Sequence, residues 1–280
     1  MRHQLAAYLL LVFVIAWLFW VPLMVLSRGG YASLGSPIAI ALQTLGVTAP
    51  FISVIVVLGL TRGKRGIGRL VGGLKRWRVG LGWYAAACLL IPALTVIGIG
   101  IRVAIHSVPA VPEGSALAST LGDIGWIGVA LTFPLWLLAA CFGSPLLEEP
   151  GWRGFAFPQM ENQMPAAWAA LLVGAIWGLW HIPLNLAFDE NLASSFALIT
   201  MHGFFLGWLY ANTHSLLIVV LGHASLSVAN NRLSLAEQGI VQIALTLLLC
   251  LVIFACCRVN DLRPRRSPTP SARLRGNGRG

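Results

Sequence analysis

Long stretches of this chain hold almost nothing but apolar residues, and polar positions come in short bursts between them. The first stretch, residues 5–26, is too long for the core of a signal peptide and has no small-x-small cleavage pattern beside it, so it reads as a retained helix. Further apolar stretches cover about residues 38–60, 83–101, 166–187, 195–212, 215–230 and 239–257. Another starts near Ile124. A helix needs ~20 apolar residues to cross a ~30 Å hydrocarbon layer. The pattern therefore predicts an all-α polytopic membrane protein, with about eight transmembrane helices enclosing an intramembrane polar cavity. Residues 1–123 hold the first three helices and a basic loop, 124–230 form helices four to seven, 231–257 the eighth helix, and 258–280 a basic tail. That tail has no large apolar surface to bury and is expected to be disordered. No sequence repeat relates the two halves, so an inverted-repeat transporter gains no support.

Composition narrows the class. Of 280 residues 58% are hydrophobic and 10% charged, with a mean hydropathy of +0.81, against roughly 45–50% apolar and about 25% charged in a soluble domain. A soluble enzyme is excluded. The excess of 19 Lys and Arg over 9 Asp and Glu would suggest nucleic acid in a soluble protein. Here, however, Arg62, Lys64, Arg65, Arg69, Lys75, Arg76 and Arg78 share one loop, and most of the remaining Arg lie after Cys257. Such clusters mark cytoplasmic segments. An even number of crossings then puts both termini in the cytoplasm of an integral membrane protein, in a cell inner membrane. Glu113, Asp123, Asp189, Glu190 and Glu237 fall on the opposite face. The partner expected from composition and charge is the lipid bilayer, with no nucleic acid. Cys88, Cys141, Cys250, Cys256 and Cys257 lie within or at the ends of apolar runs, without metal-site or disulfide spacing.

Charges inside a span cost ~2.5–3.5 kcal/mol each on insertion scales and usually face a protein interior. The first concentration is Glu148, Glu149 and Arg153, within Glu148-Glu149-Pro150-Gly151-Trp152-Arg153. Were these acids a cytoplasmic helix end, they would oppose the macrodipole and stand where Lys or Arg belong. Glu149 and Arg153 are spaced to pair along one helix face, while Glu148 lies ~100° around the helix. The second feature is His181, after Trp177 and before Pro183. Glu148, Glu149 and His181 stand almost symmetrically about Pro165, so a hairpin turning between Met160 and Pro165 brings them to similar depth. It also predicts that the fourth helix continues through Phe157. The third feature is His223, with Ser227 one turn further on the same face. His202 adjoins Gly203 and Gly207 in a small-residue stripe and reads as structural; His3, His106 and His214 lie near segment ends.

Together, Glu148-Glu149-x-x-x-Arg153, Trp177-x-x-x-His181 and the later His223-x-x-x-Ser227 resemble the CAAX protease and bacteriocin-processing family of intramembrane endopeptidases. The resemblance covers about residues 124–230 and includes Glu-Pro-Gly-Trp-Arg-Gly-Phe and Gly-Leu-Trp-His-Ile-Pro. Two positions depart from the family pattern. The usual Phe of the second motif is Trp177, a change expected to be benign, and the usual Asn or Asp of the third is Ser227, with shorter reach and no amide or carboxylate.

The resemblance implies hydrolysis of a peptide bond in a membrane-associated peptide or protein substrate, prenylated or bacteriocin-like, entering from the membrane or cytoplasmic side. Such chemistry needs a sheltered water, a base and oxyanion donors. In the implied assignment Glu148 is the base, assisted by His181. Glu149 and Arg153 fix the helix and the local field, and His223 with Ser227 completes the cavity or stabilises the oxyanion. Glu148, His181 and His223 are also a three-ligand set suited to a divalent metal such as zinc; a metal-free acid–base cluster is equally compatible, and His-Glu-x-x-His is absent. Two other readings stand beside the protease: an inactive immunity or scaffold protein, and a proton-coupled transporter using intramembrane Glu and His.

Overall fold

Alternation between backbone breakers and apolar runs sets the architecture. The computed structural model describes residues 2–106, 116–233 and 240–256, so Cys257, Glu113, Glu237 and the tail 258–280 lie outside the described residues. Among the described residues there is no strand. The helices are α1 (Arg2–Arg28), α2 (Pro37–Val47), α3 (Ala49–Leu74), α4 (Leu81–His106), α5 (Ala116–Cys141), α6 (Ser144–Gly151), α7 (Phe157–Glu161), α8 (Ala166–Trp180), α9 (Ile182–Ala187), α10 (Leu192–Thr213), α11 (Leu216–Val228) and α12 (Ile240–Cys256). A π-helical turn, Trp152–Ala156, joins α6 to α7, and a second, Ala229–Leu233, follows α11.

The protein is an all-α polytopic membrane protein. Where described, the eight apolar stretches are almost entirely helical, yet among the described residues fewer helices than eight have the length to cross alone. Four do: His3–Arg28, Pro37–Leu74, Leu81–Ile105 and Leu192–Thr213. A fifth arises if Ile127–Cys141 and Ser144–Glu161, bent by 52° at their junction, count as one span. Ala166–Trp180, Leu216–Asn231 and Ile240–Cys256 are shorter apolar helices. The 52° bend has a local cause: Gly143 leaves the helical region at φ −87°, ψ −137°, and Pro145 opens α6, where its missing N–H does no harm. Past the bend the chain stays helical to Glu161, so the fourth segment does continue through Phe157.

The fifth segment is not one helix. It breaks at His181, between α8 and α9, where Pro183 lacks the N–H needed to continue the ladder. His181 therefore sits at a helix junction.

Small residues bring α8 and α10 to backbone contact. A Cβ at Gly203 would stand 2.3 Å from the Cα of Gly174, one at Gly174 would stand 2.4 Å from the Thr200 carbonyl oxygen, and one at Gly207 would stand 2.5 Å from the Ala170 Cβ. The Gly203 and Gly207 stripe beside His202 is thus a packing seam, of the kind that joins helices in lipid. The distribution of polarity is inverted relative to a soluble protein. Leu10, Leu60, Leu131 and Leu251 are exposed, whereas Glu148, Glu149, Arg153 and His223 are buried. Lipid is the solvent that makes this favourable. Cys88, Cys141, Cys250 and Cys256 are free thiols.

Candidate active site

The two acids of α6 are neighbours in sequence but answer to different partners. Both are buried, Glu148 at 2% exposure and Glu149 at 0%. Arg153, one turn on and equally buried, donates from Nη1 to both oxygens of Glu149, at 2.9 and 3.1 Å. The i to i+4 pairing expected from spacing is present. His223 on α11 donates from Nδ1 to Oε1 of Glu149 at 2.7 Å, a carboxylate being able only to accept. Glu149 is thereby held from two helices. Arg153 reaches further, from Nη2 to the Gly203 carbonyl of α10 at 3.3 Å. The wider π-helical turn at Trp152–Ala156 begins beside this ion pair; such turns recur at functional sites.

The Glu148 carboxylate has a single described hydrogen bond. Trp177 of α8 donates its indole N–H to Oε2 at 2.7 Å, and Oε1 receives none from any described residue. The Glu148–Trp177 bond is the contact that the α7–α8 hairpin produces between the two motifs. His181, four residues beyond Trp177, donates from Nδ1 to the Trp177 carbonyl at 2.9 Å. That acceptor fixes the proton on Nδ1 and leaves Nε2 as the unengaged nitrogen.

Trp177 stands at the centre of this arrangement. Its ring meets that of His181 edge-on at 5.3 Å and that of His223 at 5.2 Å. The Arg153 guanidinium lies 4.8 Å over it, a cation–π contact in a desolvated setting. His181 is further enclosed by Trp180 at 4.7 Å and Trp20 at 5.7 Å. Trp in place of Phe adds something to the site: the indole supplies a donor that phenylalanine lacks, and it is bonded to Glu148. That difference was visible in the sequence as chemistry, but its target was not.

Ser227 lies elsewhere than expected. Its hydroxyl donates to the His223 carbonyl at 3.1 Å, a bond back along its own helix, and does not reach the imidazole. The three residues named as metal ligands do not form a ligand set. Among the described residues no three His, Cys, Asp or Glu side chains gather where one ion would bind them. His202 is buried with Nε2 lacking a partner.

A bundle of apolar helices with a carboxylate, two imidazoles and a neutralised ion pair at its centre has the make-up of an intramembrane hydrolase. Comparison with known proteins agrees. Residues 130–229 match the family model "Type II CAAX prenyl endopeptidase Rce1-like". The chain is also 25% identical over 256 residues to CAAX prenyl protease 2 of Methanococcus maripaludis, covering 85% of this chain and 88% of the relative. The resemblance carried by the three motifs holds: all three fall inside the stretch that matches the Rce1-like model.

Proposed function

We propose that the protein is an endopeptidase that cleaves membrane-associated peptides with water activated by Glu148. The observation that supports this most is the division of labour between adjacent acids. Glu149 is engaged by both Arg153 and His223, whereas Oε1 of Glu148 has no hydrogen-bond partner among the described residues. A base needs such an open lone pair.

In this reading Oε1 of Glu148 takes a proton from water as the water oxygen attacks the scissile carbonyl. His181, anchored through Nδ1, offers Nε2 to the same water and helps orient it. The charge that develops on the carbonyl oxygen is met by Nε2–H of His223 in its doubly protonated form, whose Nδ1–H remains on Glu149. This carboxylate–imidazole pair orients the ring much as the Asp of a serine protease triad orients its His. Collapse of the tetrahedral intermediate breaks the C–N bond, and the proton held by Glu148 passes to the departing amine. Arg153 neutralises Glu149, so the helix carries one effective negative charge, at the base. No step runs through a metal, because the donor arrangement does not suit one.

The substrate class follows the relative's name: a C-terminal peptide carrying a prenyl group, with an unprenylated membrane peptide as the comparison. The basic clusters favour a cytoplasmic location for both termini, in a cell inner membrane. A second reading, a non-catalytic family member acting as an immunity or scaffold protein, draws on Ser227, whose hydroxyl is spent on its own helix. One assay separates them. Full-length protein in proteoliposomes is given a quenched farnesylated peptide and its unprenylated twin, beside Glu148→Gln and His181→Ala. Cleavage by the wild type that both substitutions abolish supports the protease; no cleavage of either peptide, or cleavage untouched by both substitutions, overturns it.

A further inference from the structure

Trp177 does two things at once: its side chain bonds Glu148, and its backbone carbonyl bonds His181. The geometry points to Trp177 as a positioning residue for hydrolysis, its indole N–H holding Oε2 of Glu148 so that Oε1 is the oxygen presented to water. This rests on the reading of Glu148 as the base.

Three observations carry it. First, rotation of a carboxylate about its last bond is broad and nearly two-fold, so burial alone does not select which oxygen faces the substrate. The indole contact at 2.7 Å is the only hydrogen bond to the Glu148 carboxylate among the described residues. Second, the donor is itself immobilised. Trp177 is 5% exposed, its ring edge-on to both imidazoles and covered by Arg153, so the N–H direction is set by His181 at the end of its own helix and by neighbours on two other segments of chain. Third, volume alone does not call for indole, because an aromatic ring without nitrogen would keep the edge contacts and the cation–π face. What it would lose is the donor. A reacting group displaced by about 1 Å costs on the order of a hundredfold in rate, so the contact is expected to act on turnover and not on substrate binding.

Two replacements remove the N–H. Trp177→Phe keeps an aromatic ring, and β-(3-benzothienyl)alanine at position 177 keeps the full bicyclic shape with sulfur in place of N–H. With the farnesylated quenched peptide in proteoliposomes, both should lower kcat about ten- to hundredfold, KM should stay within about twofold, and the thermal midpoint should stay near wild type. A benzothienyl protein with wild-type kcat overturns the proposal, as does a loss confined to KM or tracking a lowered midpoint. The contact itself is read without substrate: in protein labelled with 15N at indole nitrogens, the resonance that disappears in Trp177→Phe should move upfield in Glu148→Ala, and an unmoved resonance overturns it. Glu148→Gln separates the two levels. A wild-type rate there removes the base reading and the role of Trp177 with it, whereas its loss beside an unaltered benzothienyl protein removes the role of Trp177 alone.

Discussion

Glu149 and His223 are 74 positions apart and joined by a 2.7 Å hydrogen bond, with Arg153 closing the other side of the same carboxylate. The bond ties α6 to α11 inside a lipid-facing bundle. It also means that of two consecutive acids Glu149 is the one held by an arginine and an imidazole, while Glu148 answers to Trp177.

Substitution of these two acids should therefore fail in different ways. Glu148→Gln keeps the shape and the acceptor for Trp177, so the fold should hold while peptide hydrolysis falls by a thousandfold or more, on the order of 4 kcal/mol in the barrier. Glu149→Gln strips the charge facing a fully buried Arg153, and should destabilise the protein by about 3–5 kcal/mol. Thermal unfolding in detergent beside the peptide assay reads both; a Glu149→Gln protein as stable as wild type would show that the ion pair is not what holds α6.

Removing both members of that ion pair should hurt the fold less than removing one. Arg153→Met alone leaves the Glu149 carboxylate buried with His223 as its remaining partner. The double replacement Glu149→Leu with Arg153→Met leaves no uncompensated charge and should recover 1–3 kcal/mol of the single-variant loss. Activity should not return, because His223 has lost the acceptor that orients it. The comparison is a double-mutant cycle on thermal midpoints, with turnover measured on the same samples.

The seam between α8 and α10 has no room for a methyl group. Gly203→Ala places a Cβ against the Gly174 backbone, where no side-chain rotation relieves it. A loss of about 2–4 kcal/mol is expected, since backbone must move. The displacement also pulls the Gly203 carbonyl away from Arg153, so turnover should drop along with stability, whereas Gly72→Ala, with open space around it, should change neither.

Ser227→Ala should be nearly silent, within about twofold in rate and ~0.5 kcal/mol in stability, because the lost bond only supplements a helix carbonyl. Ser227→Asn lengthens the side chain and adds an amide donor. Its expected effect is a rise in kcat, read in the same peptide assay; a large loss in the alanine variant would place the hydroxyl in the chemistry after all.

Exhaustive treatment with a chelator followed by gel filtration should leave peptide hydrolysis unchanged, with less than one equivalent of zinc in the untreated protein by elemental analysis. The reason is that, among the described residues, no three His, Cys, Asp or Glu side chains gather where one ion would bind them. Activity that vanishes and returns with added zinc would require a rearranged site.

Much of this was legible from the sequence because lipid makes polar residues conspicuous. Glu148, Glu149, Arg153, His181 and His223 stood out in apolar runs, and the helical period predicted the Glu149–Arg153 pair. The hairpin about Pro165 correctly put the acids near the second motif. What stayed hidden were contacts set by rotation of one helix against another. Spacing gave Glu149 a role with Arg153 but said nothing of His223, since nothing in the sequence fixes how α11 turns towards α6. Ser227 looked like a partner for the His223 ring because both share a face; a serine is short enough to bond its own helix first. The break at His181 was signalled by Pro183, yet a proline in an apolar run reads equally as a kink.

α1 gives the protease region a dependence on residues far outside the 130–229 match. α1 bonds both sides of the break at His181: Trp17 donates to the Trp180 carbonyl at the end of α8, and at the end of α9 Ser27 donates to the Ala187 carbonyl and Arg28 to that of Leu186 and to Asp189. Trp20 adds a wall beside His181. The first helix is thus a splint on a fractured one, set along the segment that carries His181. A fragment trimmed to the family match would keep every motif residue and lose the brace that tells His181 where to point.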